Sequence, residues 1–228
     1  MPTFRALHRW RSGEIGLSIV LTLQILIMFV IAPLAATGYL PGVVVDMFRI
    51  GLAAAAVLLL TPGRYSAIAV GAIFLVSLAL SLGFRTGMSA LVVNLERLAA
   101  VTAFDIAVAA VVIHKVFGGG RVTLHRIMGA VILYLSIGLI FANIYRASAL
   151  LLHPAFTALP PNSGGALSQL LYFSLSTLTT TGFGDIAPVH PFVRSLANLE
   201  SVIGQLFPAT LLARLVTLHT AKPVEDEA

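Results

Sequence analysis

Long apolar runs with few or no charged residues constrain the fold of this chain more than any other feature of its sequence. An α-helix needs about 20 predominantly apolar residues to cross the hydrocarbon core of a bilayer. Runs close to or above that length recur along the 228 residues. There are six of them, at residues 15–36, 43–60, 65–83, 90–116, 124–145 and 192–218. The pattern predicts an all-α membrane protein with six transmembrane helices.

Composition supports a membrane protein and excludes several other classes. Hydrophobic residues make up 58% of the chain and charged residues 10%, far below the charged share of about 25% in soluble domains. The formal net charge of +5 comes from scattered Lys and Arg residues rather than from a basic face, so no nucleic acid partner is predicted. Without cysteine, neither a disulfide framework nor a cysteine-based metal site can form. The predicted surroundings are a lipid bilayer.

Basic residues between the runs predict the orientation, because Lys and Arg accumulate on the cytoplasmic side of membrane proteins. With the N-terminus in the cytoplasm, most basic residues fall at the inner ends of the runs. The inner set is Arg5, Arg9, Arg11, Arg64, Lys115, Arg121, Arg126, Arg214 and Lys222, and the outer set is mainly Arg85, Arg146 and Arg194. An even number of spans then puts both termini in the cytoplasm, which predicts a multi-pass protein of the cell membrane.

A shorter segment, apolar on one side, lies between the fifth and sixth runs at residues 166–180. Its length of about 15 residues is too small to cross a bilayer. It is predicted to be a re-entrant helix that enters from the outer face and returns. Irregular backbone at membrane depth is tolerated only where protein buries it or where it lines a water-filled space. This segment is therefore predicted to be functional.

The segment leads into the sequence Ser-Thr-Leu-Thr-Thr-Thr-Gly-Phe-Gly-Asp at residues 176–185. This string resembles the potassium-channel signature Thr-x-Gly-(Tyr or Phe)-Gly-Asp, and the chain resembles the single-pore potassium channel subunits with six spans. In such filters, backbone carbonyls replace the hydration shell of K⁺, and glycine permits the backbone angles that aim them. The resemblance implies a selectivity-filter loop in which K⁺ is coordinated by Thr180, Thr181, Gly182, Phe183 and Gly184, with Asp185 at the outer mouth.

The resemblance also implies an assembly and a division into domains. One chain supplies one filter segment and four are needed around an ion, so a homotetramer is expected. The domains would be a cytoplasmic tail at 1–14, a four-span module at 15–117, a pore domain at 118–218 and a short tail at 219–228. Conduction of K⁺ would be passive, with no enzyme chemistry and no cofactor. Ligand control is expected to need a separate regulatory chain, because the short tail has no room for a ligand-binding domain.

Several side chains are predicted to support the filter, and some depart from the family pattern. Gly204 and Pro208 in the last span either form a gating hinge or are ordinary residues of a membrane helix. Glu200 is expected to pack behind the pore helix and bond to its hydroxyls. Tyr172 stands where many members have a tryptophan, and Ser176 stands where some keep an acid. These two replacements leave the rigidity of the filter open.

Other functions compete with a potassium channel. A weakly selective monovalent cation channel is the nearest alternative, because small changes around a filter can remove one of its sites. A non-conducting membrane assembly subunit or a membrane enzyme is disfavoured, because it leaves residues 179–185 unexplained. No acid pair, histidine cluster or nucleophile–base set converges in the predicted spans. Asp105 has no basic residue within one helical turn, so it is expected either to have a partner on another span or to act in gating.

The fourth run predicts weak voltage dependence, although six spans resemble a voltage-gated layout. Steps of three residues from Arg85 reach one further arginine, Arg97, whereas steep gating needs about 3–4 charges per subunit, each worth about 2.3 kcal/mol per 100 mV. Arg97→Gln should change folding or open probability, through loss of a partner such as Glu96 or Asp105, more than the slope of the conductance–voltage curve. Voltage-clamp recordings measure both. A steep slope that Arg97→Gln flattens would make the fourth span a voltage sensor.

Overall fold

The computed structural model describes residues 16–40, 89–117, 124–159 and 166–220, with isolated positions between 44 and 75. The described part is helical apart from its loops and one β-bridge. Its helices are α1 (Gly16–Ala36), α2 (Ala90–Phe117), α3 (Leu124–Leu151), α4 (Ala166–Leu178) and α5 (Pro191–Thr220). Helices are thereby confirmed in the first, fourth, fifth and sixth apolar runs. The predicted spans at 43–60 and 65–83 lie almost wholly outside the described residues.

Three of the described helices are long and apolar enough to cross a membrane: α1, α3 through Ile127–Leu151, and α5 through Pro191–Ala213. The fourth long helix, α2, carries Glu96, Arg97 and Asp105 and is not among them. In contrast, α4 has only 13 residues. The described chain therefore has a short helix between two candidate membrane spans, α3 and α5.

The start of α5 follows from its first residues. Proline is favoured at the first helical position, where its missing N–H has no partner to lose, and Pro191 begins the helix. The preceding His190 acts as a cap, because its Nδ1 atom accepts a hydrogen bond from the Phe192 N–H at 3.2 Å. Pro208 lies inside α5, and the helix continues beyond it.

Helix α3 is central, because α2 packs on it and both α4 and α5 contact it. Three aromatic rings of the core between α3 and α4, those of Tyr145, Phe156 and Phe173, contact one another. Each pair is arranged edge to face, with ring centroids 5.0 to 5.8 Å apart. Such pairs contribute about 0.5–1.5 kcal/mol beyond the area that they bury. This aromatic cluster fixes α4 against α3.

Buried polar side chains also connect α3 to the helices that precede it. Asp105 of α2 accepts a hydrogen bond from the Asn143 amide of α3 at 2.9 Å, and both side chains are buried. The predicted partner on another span is therefore present. On α1, Gln24 donates a hydrogen bond to the Ser136 hydroxyl of α3 at 3.1 Å. Both contacts tie earlier helices to the helix that holds α4.

Two glycines allow α4 to approach its neighbours closely. A Cβ atom built on Gly204 of α5 would overlap the carbonyl oxygen of Leu178, the last residue of α4, and would lie 2.8 Å from its carbonyl carbon. A Cβ atom on Gly138 of α3 would lie 3.0 Å from the Cδ2 atom of Leu175. Close packing against Leu178 therefore explains why residue 204 is a glycine, while its role as a hinge stays a prediction.

The two contacts predict different tolerance to alanine. Gly204→Ala forces a backbone carbonyl to move and should destabilise the protein by about 1–3 kcal/mol, as overpacking commonly does. Gly138→Ala, the matched control, meets side-chain atoms alone, and the nearest of them, the Cδ2 atom of Leu175, can move by a change of rotamer. Thermal unfolding of the purified protein in detergent would compare them. Equal or greater destabilisation by Gly138→Ala would contradict this account of the contact between α5 and α4.

Candidate functional site

The loop that follows α4, residues 179–185, has an unusual backbone. Thr180, Gly182 and Gly184 have φ angles of 56°, 61° and 82°. This left-handed region is easily adopted by glycine but is uncommon for other residues, especially β-branched ones. Positive φ thus occurs at alternate positions, and the residues between, Thr181 and Phe183, do not share it.

The backbone N–H groups of this loop converge on one residue of α4. The Ser176 carbonyl accepts hydrogen bonds from the N–H groups of Thr181, at 2.8 Å, and Gly182, at 3.2 Å. The Ser176 hydroxyl accepts from the N–H groups of Gly182, at 3.0 Å, and Phe183, at 3.3 Å. A trans peptide is planar, with its C=O opposite its N–H. The carbonyls of Thr180, Thr181 and Gly182 therefore point away from α4.

The end of the loop that is farther from Leu178 in sequence, at Phe183 and Asp185, is supported by Tyr172 of α4. Its ring stacks on that of Phe183, with centroids 5.5 Å apart and planes 12° from parallel. Its hydroxyl donates a hydrogen bond to Asp185 Oδ1 at 3.1 Å. Desolvation, followed by this hydrogen bond and the charge of Asp185, raises the pKa of Tyr172 above the ordinary value of 10.0. The hydroxyl therefore keeps the proton that it donates.

Beyond Asp185 the chain pairs with the loop that follows α3. The Thr157 N–H donates to the Ala187 carbonyl at 2.8 Å, and the Ala187 N–H donates to the Thr157 hydroxyl at 3.0 Å. The Val189 N–H donates to the Ala155 carbonyl at 2.9 Å. These hydrogen bonds accompany an isolated antiparallel β-bridge between Phe156 and Pro188. The segment after Asp185 is thus held by a second part of the chain.

Glu200 of α5 connects the three helices behind the loop. It is fully buried, and its Oε2 atom accepts a hydrogen bond from the Tyr145 hydroxyl of α3 at 2.6 Å. Its Oε1 atom accepts from the Ser174 hydroxyl of α4 at 2.5 Å. The predicted bond to a hydroxyl of the short helix is present. The Ser174 hydroxyl also lies 2.8 Å from the Gly138 carbonyl, and its single proton can serve one acceptor at a time.

The last carbonyls of α4 have partners on both long helices. Helices end with carbonyls that lack an intrahelical donor. Here the Leu178 carbonyl accepts from the Tyr134 hydroxyl of α3 at 3.1 Å. The Thr177 carbonyl accepts from the Ser201 hydroxyl of α5 at 3.3 Å. The end of α4, from which the loop emerges, is therefore fixed on two sides.

Several residues that form hydrogen bonds around the loop and α4 were missed by sequence reasoning. No role was predicted from the sequence for Tyr134, Tyr145, Ser174, Ser201 and Gln205. Each is a polar residue within an apolar run or segment. A polar side chain in a membrane helix usually faces protein or water. The occurrence of these polar residues within apolar runs was therefore the one sign in the sequence that they have partners. The partners themselves could not be read, because they lie 24 to 55 residues away in sequence.

Helix α4, the exposed loop and helix α5 lie within the part of the chain that matches a known family of membrane channels. Residues 130–221 match the family model described as an ion channel. The chain is also similar to Protein LctB of Bacillus caldotenax, with 32% identity over 100 residues, which are 42% of this chain and 74% of that protein. Protein LctB of Geobacillus stearothermophilus is 35% identical over 80 residues, 33% of this chain and 59% of that protein. The chain belongs to the ion channel family.

Substitutions at Glu200 test whether its hydrogen bonds hold the three helices together. Glu200→Gln should be tolerated, because its amide can accept from Tyr145 and donate to Ser174. Glu200→Leu leaves the buried Tyr145 hydroxyl without a partner and should cost about 1–3 kcal/mol. Adding Tyr145→Phe to Glu200→Leu removes that hydroxyl and should restore part of the stability. Thermal unfolding in detergent measures all three, and wild-type stability of Glu200→Leu would contradict the role.

Proposed function

We propose that the chain is one subunit of a homotetrameric, potassium-selective channel of the cell membrane, with both termini in the cytoplasm. The observation that carries the proposal is the turning of three successive N–H groups in the loop toward Ser176. It leaves the carbonyls of Thr180, Thr181 and Gly182 directed to the open side of the chain. Carbonyl rings of this kind can replace the hydration shell of K⁺. The loop would therefore be the selectivity filter.

Exposure of the loop supports assembly around it. Residues 179–185 are exposed, and Phe183 retains 68% of its accessible surface. Backbone without regular structure cannot face lipid, because its polar groups would lack partners. Of the apolar stretch that makes α5 a candidate membrane span, only 17% is buried within the chain. The corresponding share for α3 is 56%. Four copies around one axis would cover these surfaces and give each carbonyl ring its four oxygens.

Electrostatics supports a cation as the permeant ion. The C-terminus of a helix carries about half a negative charge, and the loop begins at the C-terminus of α4, Leu178. Asp185 lies at the other end of the loop and is exposed. In a tetramer, four helix ends would face the inner end of the filter and four carboxylates its outer mouth. Both groups would attract cations and repel anions.

One observation favours the second candidate, a weakly selective monovalent cation channel. Phe183 cannot donate a hydrogen bond, and its ring is held by stacking on Tyr172. Stacking restrains the ring less directionally than a hydrogen bond from a phenol would. A filter held in this way could accept Na⁺ as well as K⁺. The relative permeability of the two ions separates this candidate from the first.

Reconstituted protein provides the main test. Purified chain in liposomes should pass K⁺ under a K⁺ gradient and pass Na⁺ far more slowly. Native mass spectrometry of the same preparation should show four copies. Similar K⁺ and Na⁺ fluxes would favour the weakly selective channel. Absence of any flux from a tetramer would favour a non-conducting assembly subunit, and a conducting monomer or dimer would exclude the proposed pore.

Alanine at the loop glycines tests the filter itself. Gly182→Ala and Gly184→Ala should abolish selectivity for K⁺ over Na⁺ without preventing assembly. Within the single chain an added Cβ would meet no described atom within 4 Å at either position, and the expected effect comes from the positive φ of both residues, which alanine disfavours. Gly71→Ala is the matched control, because its Cβ also meets no described atom within 4 Å and its φ is not positive. Reversal potentials in mixed K⁺ and Na⁺ would report selectivity. Unchanged values in both filter variants would show that this loop is not the filter.

A further inference from the structure

Gln205 is a polar residue of α5 that contacts the inner end of the loop. Its amide Nε2 donates a hydrogen bond to the Thr180 hydroxyl at 2.8 Å. Both residues are exposed within the single chain. Gln205 directly follows Gly204, where α5 packs against the backbone of Leu178. That close contact fixes the position from which the Gln205 side chain reaches Thr180.

The Thr180 side chain depends on this contact for its orientation. Its backbone has φ of 56°, which a β-branched residue adopts rarely. The neighbouring hydroxyls have partners nearby: that of Thr179 bonds to the Leu175 carbonyl at 2.7 Å and lies 2.8 Å from that of Thr181. Among the described residues, the Thr180 hydroxyl has one partner, Gln205. Gln205 therefore selects the direction in which this oxygen points.

Hydrogen-bond chemistry gives this direction a consequence. A threonine hydroxyl has two acceptor lone pairs and one proton. The Gln205 amide occupies one lone pair and leaves the other free for a cation. In a four-fold assembly, symmetry repeats this arrangement around the axis and gives a ring of four oriented hydroxyl oxygens.

We propose that Gln205 is a positioning and specificity-determining residue, which orients the Thr180 hydroxyl as a ligand for a dehydrated cation at the inner end of the filter. The proposal rests on the function proposed above. It adds that selectivity at this site is controlled from α5 rather than by the loop alone. Oxygen ligands fixed in direction can discriminate between cations of different size, whereas freely rotating hydroxyls adapt to either.

The test removes the donor and measures ion binding in the assembled protein. Gln205→Met keeps an unbranched side chain of similar length but cannot donate to Thr180. In channels reconstituted in planar bilayers, it should weaken block by Ba²⁺ added on the cytoplasmic side by roughly three- to tenfold, as loss of one hydrogen bond would. The ratio of K⁺ to Na⁺ permeability should fall as well. The proportion of tetramer should stay unchanged.

A double-substitution cycle shows whether Gln205 acts through Thr180. In a Thr180→Ala background, adding Gln205→Met should produce no further change in Ba²⁺ block, because the partner is already absent. An equal effect in both backgrounds would overturn the proposal, and so would wild-type block and selectivity in Gln205→Met. If Gln205→Met does not assemble, Gln205→Leu replaces it, with the same expected results. Failure of both variants to assemble would make Gln205 a structural residue and would overturn the proposal. A wild-type protein that forms no conducting pore would instead refute the function proposed above.

Discussion

Three backbone N–H groups that converge on Ser176 determine the geometry of the whole site. Because peptides are planar, this convergence turns the opposite carbonyls toward the open side of the chain. It requires α4 to end at the right place and in the right orientation. Hydrogen bonds from the two long helices, α3 and α5, hold α4 in this position. They are made by the hydroxyls of Tyr134, Tyr145 and Ser201 and by the carboxyl of Glu200. The aromatic cluster and the glycine contact then set the distance between those helices and α4.

The sequence was most informative about the parts of the chain that depend on local pattern. Apolar runs located α1, α2, α3 and α5, and the string at 176–185 located the loop. The short helix was predicted to extend to residue 180 but ends at Leu178, because Thr180 has the left-handed backbone that stops a helix. Helix α3 was predicted to end at residue 145 but continues to Leu151. Its extension contains mainly Ala and Leu, which favour helix.

Contacts between distant residues could not be predicted in the same way. Glu200 was expected to meet hydroxyls of the short helix, because an acid in an apolar span needs partners. The second partner, Tyr145, lies 55 residues earlier in the sequence, and no periodicity points to it. Asp105 presented the same problem, since Asn143 is 38 residues away. Ser176 was placed among the residues that support the filter, but its contacts could not be derived from the sequence. Its hydroxyl and its carbonyl both accept hydrogen bonds from N–H groups of the loop.

The β-bridge beyond Asp185 makes the length of this region important for the geometry of the loop. The loop is attached to α4 through Ser176 at one end and to the strand-like pairing of Thr157 with Ala187 at the other. Between these attachments the path is fixed, so an inserted or deleted residue would shift the alternation of positive φ by one position. Every carbonyl beyond the change would then face the opposite side. An insertion or deletion between residues 177 and 187 is therefore expected to disturb either the alternation of positive φ or one of the two attachments of the loop.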